Sequence, residues 1–340
     1  MKNRSNAIRR TVLRSGGTLL AAAAALPALP ARAQARDKIQ LQLNWFHLAD
    51  HSPIYLAMKK GYYKEESLDL TVLRGSGSSD SAKKVDLGQS DVGISDAPTV
   101  LTAISKGANL TMVAVVYDKA GNNLFFRKSA KIQTPKDLVG RKIAVPPADS
   151  HRVLWPAFAA MHGIDPSSVT MVNVKPEGKQ AIVAAGEVDG AFDLYTSYAI
   201  WEKVLGKGDV GHLLWADFGL PIYGHTYFVN NETIKKNPKL IERFLRATHK
   251  GWRDAKADPA ASIDAMVEQV PGLDRTTLLA TMPQILDLCV TERSAKHGLG
   301  WIEPELMQKT MDITFANAKP DKAFKVEDAF SNAFSSKIKP

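Results

Sequence analysis

The chain has 340 residues, of which 45% are hydrophobic and 23% charged, and its formal net charge is +9. These values fit a globular protein of one large or two ordinary domains and exclude a disordered or integral membrane protein. Residues 1–33 hold six basic residues and no acidic one, which leaves the rest of the chain nearly balanced at +3. A basic face for nucleic-acid binding is therefore not expected.

Residues 1–33 have the three parts of an export signal. The basic part ends in Arg9-Arg10, an apolar stretch covers residues 18–29, and small residues for cleavage lie at 31–33. The apolar stretch is shorter than the roughly 20 residues that span a bilayer, so it predicts a cleaved signal and not an anchor. The paired arginines resemble a twin-arginine signal, with general secretion as the alternative. We expect a periplasmic protein that begins near Gln34 or Arg36.

Strands and helices alternate along the mature chain. Apolar patterns predict early strands near residues 38–43, 68–73, 91–95 and 110–117, with helices between them. The alternation restarts after residue 130, with strands near 141–145, 169–174, 188–192 and 223–229. Helices are predicted near 238–255, 259–269, 275–290 and 304–316.

This order predicts an α/β fold in which mostly parallel sheets are flanked by helices. Because the βα series restarts, we expect two lobes, with lobe 2 (126–222) inserted into lobe 1 (36–125 and 223–340). The chain should cross between the lobes near residues 123–128 and 222–230. Cys289 is the only cysteine, so no internal disulfide is possible, and its apolar neighbours predict a buried position.

Several motifs together resemble one known family. They are Asn44-Trp45-Phe46, Asp50-His51, Pro53-Ile54-Tyr55, residues 60–69, Gly75–Ser78, Val92–Asp96, residues 134–145 and residues 186–192. They resemble the NMT1/THI5-like periplasmic-binding proteins over about residues 38–250. The first part is most similar to binders of thiamine-pyrimidine precursors, and the second is also similar to sulfonate, taurine and nitrate binders.

The resemblance implies a periplasmic-binding-protein type II fold and a monomeric protein without cofactor or metal. It also implies that the protein delivers a small-molecule solute to an ABC permease and its cytoplasmic ATPase. An organic anion is the alternative solute. Fungal members are enzymes that make a pyrimidine from pyridoxal phosphate and a histidine, and they carry a cysteine-rich metal motif. With one cysteine and no HExxH, CxxC or phosphate-loop motif, this chain is not expected to be an enzyme, although an exported enzyme remains the alternative.

Candidate ligand-binding residues follow the predicted strands, because ligands of open α/β sheets bind at the carboxyl ends of strands. In lobe 1 they are Asn44, Trp45, Asp50, His51, Tyr55, Gly77, Ser78 and Asp96. Asn44 and Trp45 could orient and stack a planar ring, and Gly77 and Ser78 bring backbone N–H groups close to a ligand. The alternatives are ordinary ones: Trp45 and Tyr55 as packing residues, His51 as a local hydrogen-bonding residue, and Asp96 as a helix cap.

The candidates in the second half of the chain are Ser150, His151, Asp193, Tyr195 and Tyr223. Ser150 and His151 begin a predicted helix and could bind an anion there. This segment departs from the glycine-rich sequence expected of a pyrimidine binder. Asp193 and Tyr195 follow a strand and face the cleft or cap a helix. Tyr223 lies at the second crossing, where it could serve the hinge instead of the ligand.

Overall fold

The computed structural model describes residues 36–316 and 320–335. The export signal predicted for residues 1–33 lies outside the described residues. Within the part of the chain that is described, no helix combines the length and the apolar character that crossing a bilayer requires.

The strands form two five-stranded sheets. They are β1 Asp37–Gln42, β2 Leu68–Leu73, β3 Val92–Asp96, β4 Leu110–Val115, β5 Asn122–Arg127, β6 Lys142–Val145, β7 Thr170–Asn173, β8 Gly190–Leu194, β9 Val210–Leu214 and β10 His225–Asn230. The first sheet has the order β2-β1-β3-β10-β4 and the second has β7-β6-β8-β5-β9. We call each sheet with its flanking helices a lobe, lobe 1 for the first sheet and lobe 2 for the second.

Each sheet has one strand that runs against the other four. It is β10 in lobe 1, which pairs antiparallel with β3 and β4, and β5 in lobe 2, which pairs antiparallel with β8 and β9. These two strands follow the passages of the chain from one sheet to the other, and the predicted crossings fall on them. The two-lobed α/β fold with mostly parallel sheets is confirmed, while the predicted lobe boundaries stay a prediction.

Helices cover both faces of each sheet. They are α1 Ser52–Lys59, α2 Tyr62–Glu65, α3 Ser78–Asp86, α4 Ala97–Ser105, α5 His151–Met161, α6 Lys179–Ala184, α7 Tyr198–Leu205, α8 Asn231–Lys236, α9 Pro238–Ala257, α10 Pro259–Gln269, α11 Arg275–Ala280, α12 Met282–Cys289, α13 Glu292–His297 and α14 Pro304–Thr314. In lobe 1, α9 buries an apolar stripe that includes Ile241, Phe244 and Leu245 against one face of the sheet. In lobe 2, Trp155 and Phe158 of α5 pack on one face and Trp201 of α7 on the other.

The structure differs from the sequence-based elements in several places, and the short helices α2, α8 and α13 are among the elements that were not predicted. The helix predicted over residues 275–290 is divided into α11 and α12 at Thr281, because Pro283 lies in the first turn of α12 and cannot donate a backbone hydrogen bond into a preceding turn. Strands β5 and β9 were not predicted. Neither shows a regular alternation: β5 is buried on both faces over most of its length, and β9 contains a glycine.

Candidate ligand-binding cleft

A cavity lies between the lobes, at the edge where strands of both sheets end. Its lining residues are Asn44, Trp45, Leu48, Ser78 and His225 from lobe 1 and Asp149, Ser150, His151, Lys179, Asp193 and Leu194 from lobe 2. The space left for the centre of a water molecule is about 20 Å³, which holds about one ordered water. A larger solute therefore enters only when the lobes separate.

A chain of hydrogen bonds forms the lobe 1 wall. The backbone N–H of Leu48 donates to His51 Nδ1 over 3.2 Å, so the proton of this neutral ring is on Nε2, which donates to Asn44 Oδ1 over 3.2 Å. The amide nitrogen of Asn44 then donates to His225 Nε2 over 3.1 Å. Because Nε2 of His225 accepts, its proton is on Nδ1. Burial lowers the pKa of His51 and lowers that of His225 to about 4, so both rings are neutral at physiological pH.

Asp50 lies behind this chain of hydrogen bonds. Its Oδ2 accepts a hydrogen bond from the Tyr117 hydroxyl over 2.9 Å and is 3.7 Å from His225 Nδ1. The rings of Tyr117 and His225 stack with their centres 4.4 Å apart. Neither Asp50 Oδ1 nor His225 Nδ1, both buried, has a hydrogen-bond partner among the described residues. The lobe 1 wall therefore retains one unused acceptor and one unused donor.

Trp45 faces lobe 2 across the cavity. Its side chain is 8% exposed, and the Nζ of Lys179 lies 4.6 Å from the ring centre. An ammonium over an indole face is a favourable cation–π contact. The contact joins the lobes, and it occupies the ring face on which a planar solute could stack.

Asp149 and His151 form the start of the lobe 2 wall, at the amino-terminal end of α5. The Oδ1 of Asp149 accepts hydrogen bonds from the backbone N–H of His151 over 3.0 Å and from its Nδ1 over 2.6 Å. The backbone N–H of Asn123 donates to His151 Nε2 over 3.2 Å. Burial favours the protonated carboxyl, but His151 and Lys179 outweigh it and lower the pKa of Asp149 to about 2.

Lys179 is the buried cation of the lobe 2 wall. The residue is 1% exposed, and its Nζ lies 2.9 Å from Asp193 Oδ1, 3.8 Å from Asp149 Oδ2 and 3.2 Å from the Phe192 carbonyl oxygen, to which it donates. Asp193 also accepts hydrogen bonds from Trp201 Nε1 and the Leu194 N–H. The charge of Lys179 is thus neutralised within the wall, and the carboxyl groups of the lining exceed the ammonium groups.

The loop between β2 and α3 brings the lobes into backbone contact. In the first turn of α3, the N–H of Ser79 donates to the Ala148 carbonyl oxygen over 3.3 Å, and in the loop Arg74 forms an ion pair with Glu177. Gly77 has φ +151°, and a Cβ there would lie 2.5 Å from the Ala148 oxygen. This loop therefore needs a glycine, both for its backbone conformation and for the approach of lobe 2.

The structure brings six of the predicted ligand residues together at the cavity. They are Asn44, Trp45, Ser78, Ser150, His151 and Asp193. Gly77 lies next to the cavity, where it closely approaches Ala148 of lobe 2. Asp50 and His51 lie behind the lobe 1 wall. These nine residues thus belong to one polar region shared by the two lobes.

The other four predicted ligand residues lie elsewhere. The carboxylate of Asp96 caps α4 through the Thr99 N–H over 3.1 Å. The Tyr55 hydroxyl bonds His47, and Tyr195 packs on His212 with ring centres 5.3 Å apart. Tyr223 joins the second crossing to the C-terminal helices: its N–H donates to Thr310 and its hydroxyl accepts from the Glu303 N–H.

The cavity lining also includes three polar residues that the sequence analysis did not select as ligand-binding candidates: Asp149, Lys179 and His225. Asp149 and His225 stand beside selected residues, and their positions at strand ends were the signal that could have found them. Lys179 gave no such signal, because a lysine at a helix start is usually exposed. Its partner Asp193 lies on another strand.

The model of the family described as NMT1/THI5 like matches residues 48–262. The chain belongs to this family. A formylaminopyrimidine-binding protein of Halalkalibacterium halodurans is 22% identical over 88% of this chain and 91% of its own length. A 4-amino-5-hydroxymethyl-2-methylpyrimidine phosphate synthase of Legionella pneumophila is 26% identical over 72% of this chain and 77% of its own length.

Solved structures of sulfonate-binding proteins have the same fold as this chain. The alkanesulfonate-binding protein of Xanthomonas axonopodis pv. citri, solved with bound MOPS, superposes with a TM-score of 0.67 at 18% identity, over 88% of this chain and 99% of that chain. The aliphatic sulphonate-binding protein of Escherichia coli superposes with a TM-score of 0.64 at 17% identity, over 86% and 91%. At such identities the likeness shows the fold.

Proposed function

We propose that this protein is the solute-binding component of an ABC importer and captures a small planar heterocycle, such as a thiamine-pyrimidine precursor, between its lobes. The observation that carries the proposal is the cavity at the strand ends, to which both lobes contribute polar side chains. Ligands of open α/β sheets bind at this edge. A site divided between two lobes also allows closure around the solute.

Trp45 supports a ring-shaped solute. The indole lies at the cavity, and its partner on the facing lobe is the Lys179 ammonium and not another aromatic ring. Separation of the lobes would free this ring face. Stacking of a heterocycle on it would contribute on the order of 1–3 kcal/mol.

The charges of the cleft favour a neutral or cationic solute over an organic anion. Asp149 and Asp193 face the single ammonium of Lys179 among the described lining residues, and His51 and His225 donate or accept as neutral rings. The carboxylate of Asp149 already occupies the amino-terminal end of α5, where an anion would otherwise be favoured. A sulfonate would therefore meet repulsion at the place where the fold could best bind it.

The relatives support the same solute class. The Halalkalibacterium relative is named for binding formylaminopyrimidine, and the match covers most of both chains. The Legionella relative is named a pyrimidine phosphate synthase, so an enzyme of pyrimidine synthesis is the alternative from another class. Our proposal is binding without turnover, in the periplasm after removal of the export signal, with transfer to a membrane permease and its ATPase.

Calorimetric titration of the mature protein tests this function. Formylaminopyrimidine and 4-amino-5-hydroxymethyl-2-methylpyrimidine should each bind with one-to-one stoichiometry, and an alkanesulfonate should give no saturable heat. Both pyrimidines should be recovered unchanged by mass spectrometry after prolonged incubation. Tighter binding of the sulfonate would identify an anion binder, and conversion of a pyrimidine or of added pyridoxal phosphate would identify an enzyme.

A further inference from the structure

Asn123 is a buried amide whose hydrogen-bonding groups are both unused. The residue is 0% exposed, and neither its Oδ1 nor its Nδ2 has a partner among the described residues. A buried polar group without a partner destabilises the folded state, so native structures rarely keep one without a reason. Here one side chain keeps two such atoms, a donor and an acceptor.

The backbone places Asn123 directly behind the cavity. Asn123 is opposite Asp193 in the antiparallel pair of β5 and β8, which sets their Cβ atoms about 5 Å apart on one face of the sheet. Its backbone N–H donates to His151. Asp193 and His151 both line the cavity, so the unused amide lies beside two residues of the lobe 2 wall.

β5 holds Asn123 on lobe 2 whether the lobes are closed or apart. The strand is hydrogen-bonded on both sides, to β8 and to β9. When the lobes separate, the cavity opens and a rotation about the side-chain bonds of Asn123 can turn the amide toward it. On the facing lobe, Asn44 and His225 line the cavity. A solute between the lobes is therefore met by polar side chains from both.

A carboxamide presents one donor and one acceptor side by side. Its complement is an edge in which a ring nitrogen stands next to an exocyclic amine, which is how asparagine pairs with adenine. An anion would leave the amide oxygen unused, and a simple ammonium would leave the amide N–H unused. We propose that Asn123 is a specificity-determining residue of the cleft and binds the amidine edge, ring nitrogen plus exocyclic amine, of a heterocyclic solute. This rests on the proposed function.

The test combines a change in the protein with a change in the solute. The probes are 4-amino-5-hydroxymethyl-2-methylpyrimidine and the same ring with hydrogen in place of the 4-amino group. Wild type should bind the amine-free ring about ten- to a hundredfold more weakly, as expected for one bidentate pair. Asn123→Leu should bind both rings alike, with an affinity near that of wild type for the amine-free ring.

Stability separates a binding role from a structural one. Because Asn123→Leu removes two unpaired buried groups at similar volume, its melting temperature without solute should equal or exceed that of wild type. Asn123→Ala provides a second variant with the same expected loss of discrimination. Asn109→Ala, at an exposed site at the start of β4, should leave both affinities unchanged.

Two results would overturn the inference. If the Asn123 variants discriminate between the two rings as wild type does, the amide does not contact the amine edge. If Asn123→Leu melts far below wild type without solute, the amide is structural, whatever the variant does to discrimination. Should wild type bind neither ring, the proposed function fails first and this subsite fails with it.

Discussion

Trp45 shows how one side chain can serve two states of the cleft. In the closed arrangement its ring contacts the Lys179 ammonium of the opposite lobe, 4.6 Å from the ring centre, and Phe46 packs against it with ring centres 5.3 Å apart. A solute that stacks on Trp45 must displace the ammonium, which can keep its ion pair with Asp193. Stacking of a solute would therefore replace one favourable contact of the Trp45 ring by another.

Trp45→Ala should weaken binding of the aminopyrimidine about ten- to a hundredfold, because a stacked ring contributes roughly 1–3 kcal/mol. Trp45→Phe should restore part of the affinity. Titration calorimetry gives the affinities, and a thermal melt gives the stability. Phe46→Ala is the matched control, since Phe46 is the neighbouring aromatic residue and does not line the cavity.

A different outcome would place Trp45 in the core. Truncation of a fully buried aromatic costs about 3–5 kcal/mol of stability. A loss of that size, together with unchanged affinity, would remove Trp45 from the ligand site.

At the level of residues, the sequence predicts the place of the site better than its chemistry. Asn44, Trp45 and His151 follow strands, and the structure puts them at the cavity. Asp96 also follows a strand, yet its carboxylate caps α4 by accepting a hydrogen bond from the Thr99 N–H. Capping and binding need the same residue types at the same position, so sequence alone cannot separate them. Ion pairs such as Lys179 with Asp193 depend on side chains that meet only in the folded sheet.

The loop between β2 and α3 is the element through which lobe 1 contacts the lobe 2 backbone. Gly75 lies so close to β1 that a Cβ there would be 2.0 Å from the Leu43 oxygen, whereas Gly77 is close to Ala148 of lobe 2. The two glycines therefore have different roles. The absence of a side chain at Gly75 lets the loop pack against lobe 1, and its absence at Gly77 lets the loop approach lobe 2.

Gly77→Ala should impair closure more than folding of lobe 1. The new methyl group would meet Ala148 and hold the lobes apart, so we expect solute affinity to fall at least tenfold, a loss of about 1.4 kcal/mol. Gly88→Ala is the matched control: Gly88 also has positive φ, at +69°, but a Cβ there meets nothing within 4 Å. Urea unfolding should show a larger loss of stability for Gly77→Ala, whose backbone (φ 151°, ψ 152°) is open to glycine almost alone, than for Gly88→Ala, and only Gly77→Ala should lose affinity. Equal affinities would show that the loop does not govern closure.

Elements with a clear apolar period were predicted well, and those without one were not. α9 has a polar face and an apolar stripe, and the sequence predicts it to within two residues. β5 begins with two asparagines and continues with buried residues on both faces. Such a strand has no alternation, because helices cover both faces of its sheet. β5 carries Asn123, so the least predictable strand also holds the residue assigned here to solute specificity.

At the scale of the whole molecule, each lobe uses the same strand plan. In both sheets three parallel strands are followed by one antiparallel strand and then a strand parallel to the first three. The antiparallel strands β10 and β5 each follow a passage between lobes, so both connecting segments reach the sheets at the cleft edge. Rotation of one lobe against the other then needs changes in only a few residues near these strands.

Distance measurements between labelled sites should report this closure. The only native thiol, Cys289, is buried, and burial raises its pKa, so it should stay unlabelled while exposed engineered cysteines react. Leu87→Cys at the end of α3 in lobe 1 and Val139→Cys before β6 in lobe 2 replace exposed apolar residues at sites remote from the cavity lining. Addition of the aminopyrimidine should change the distance distribution of this pair by fluorescence energy transfer and narrow it, because the solute joins the lobes. The control pair Val139→Cys and Val204→Cys lies within lobe 2 and should not change. If the pair across the lobes is also unchanged while calorimetry shows binding, the lobes do not move on binding.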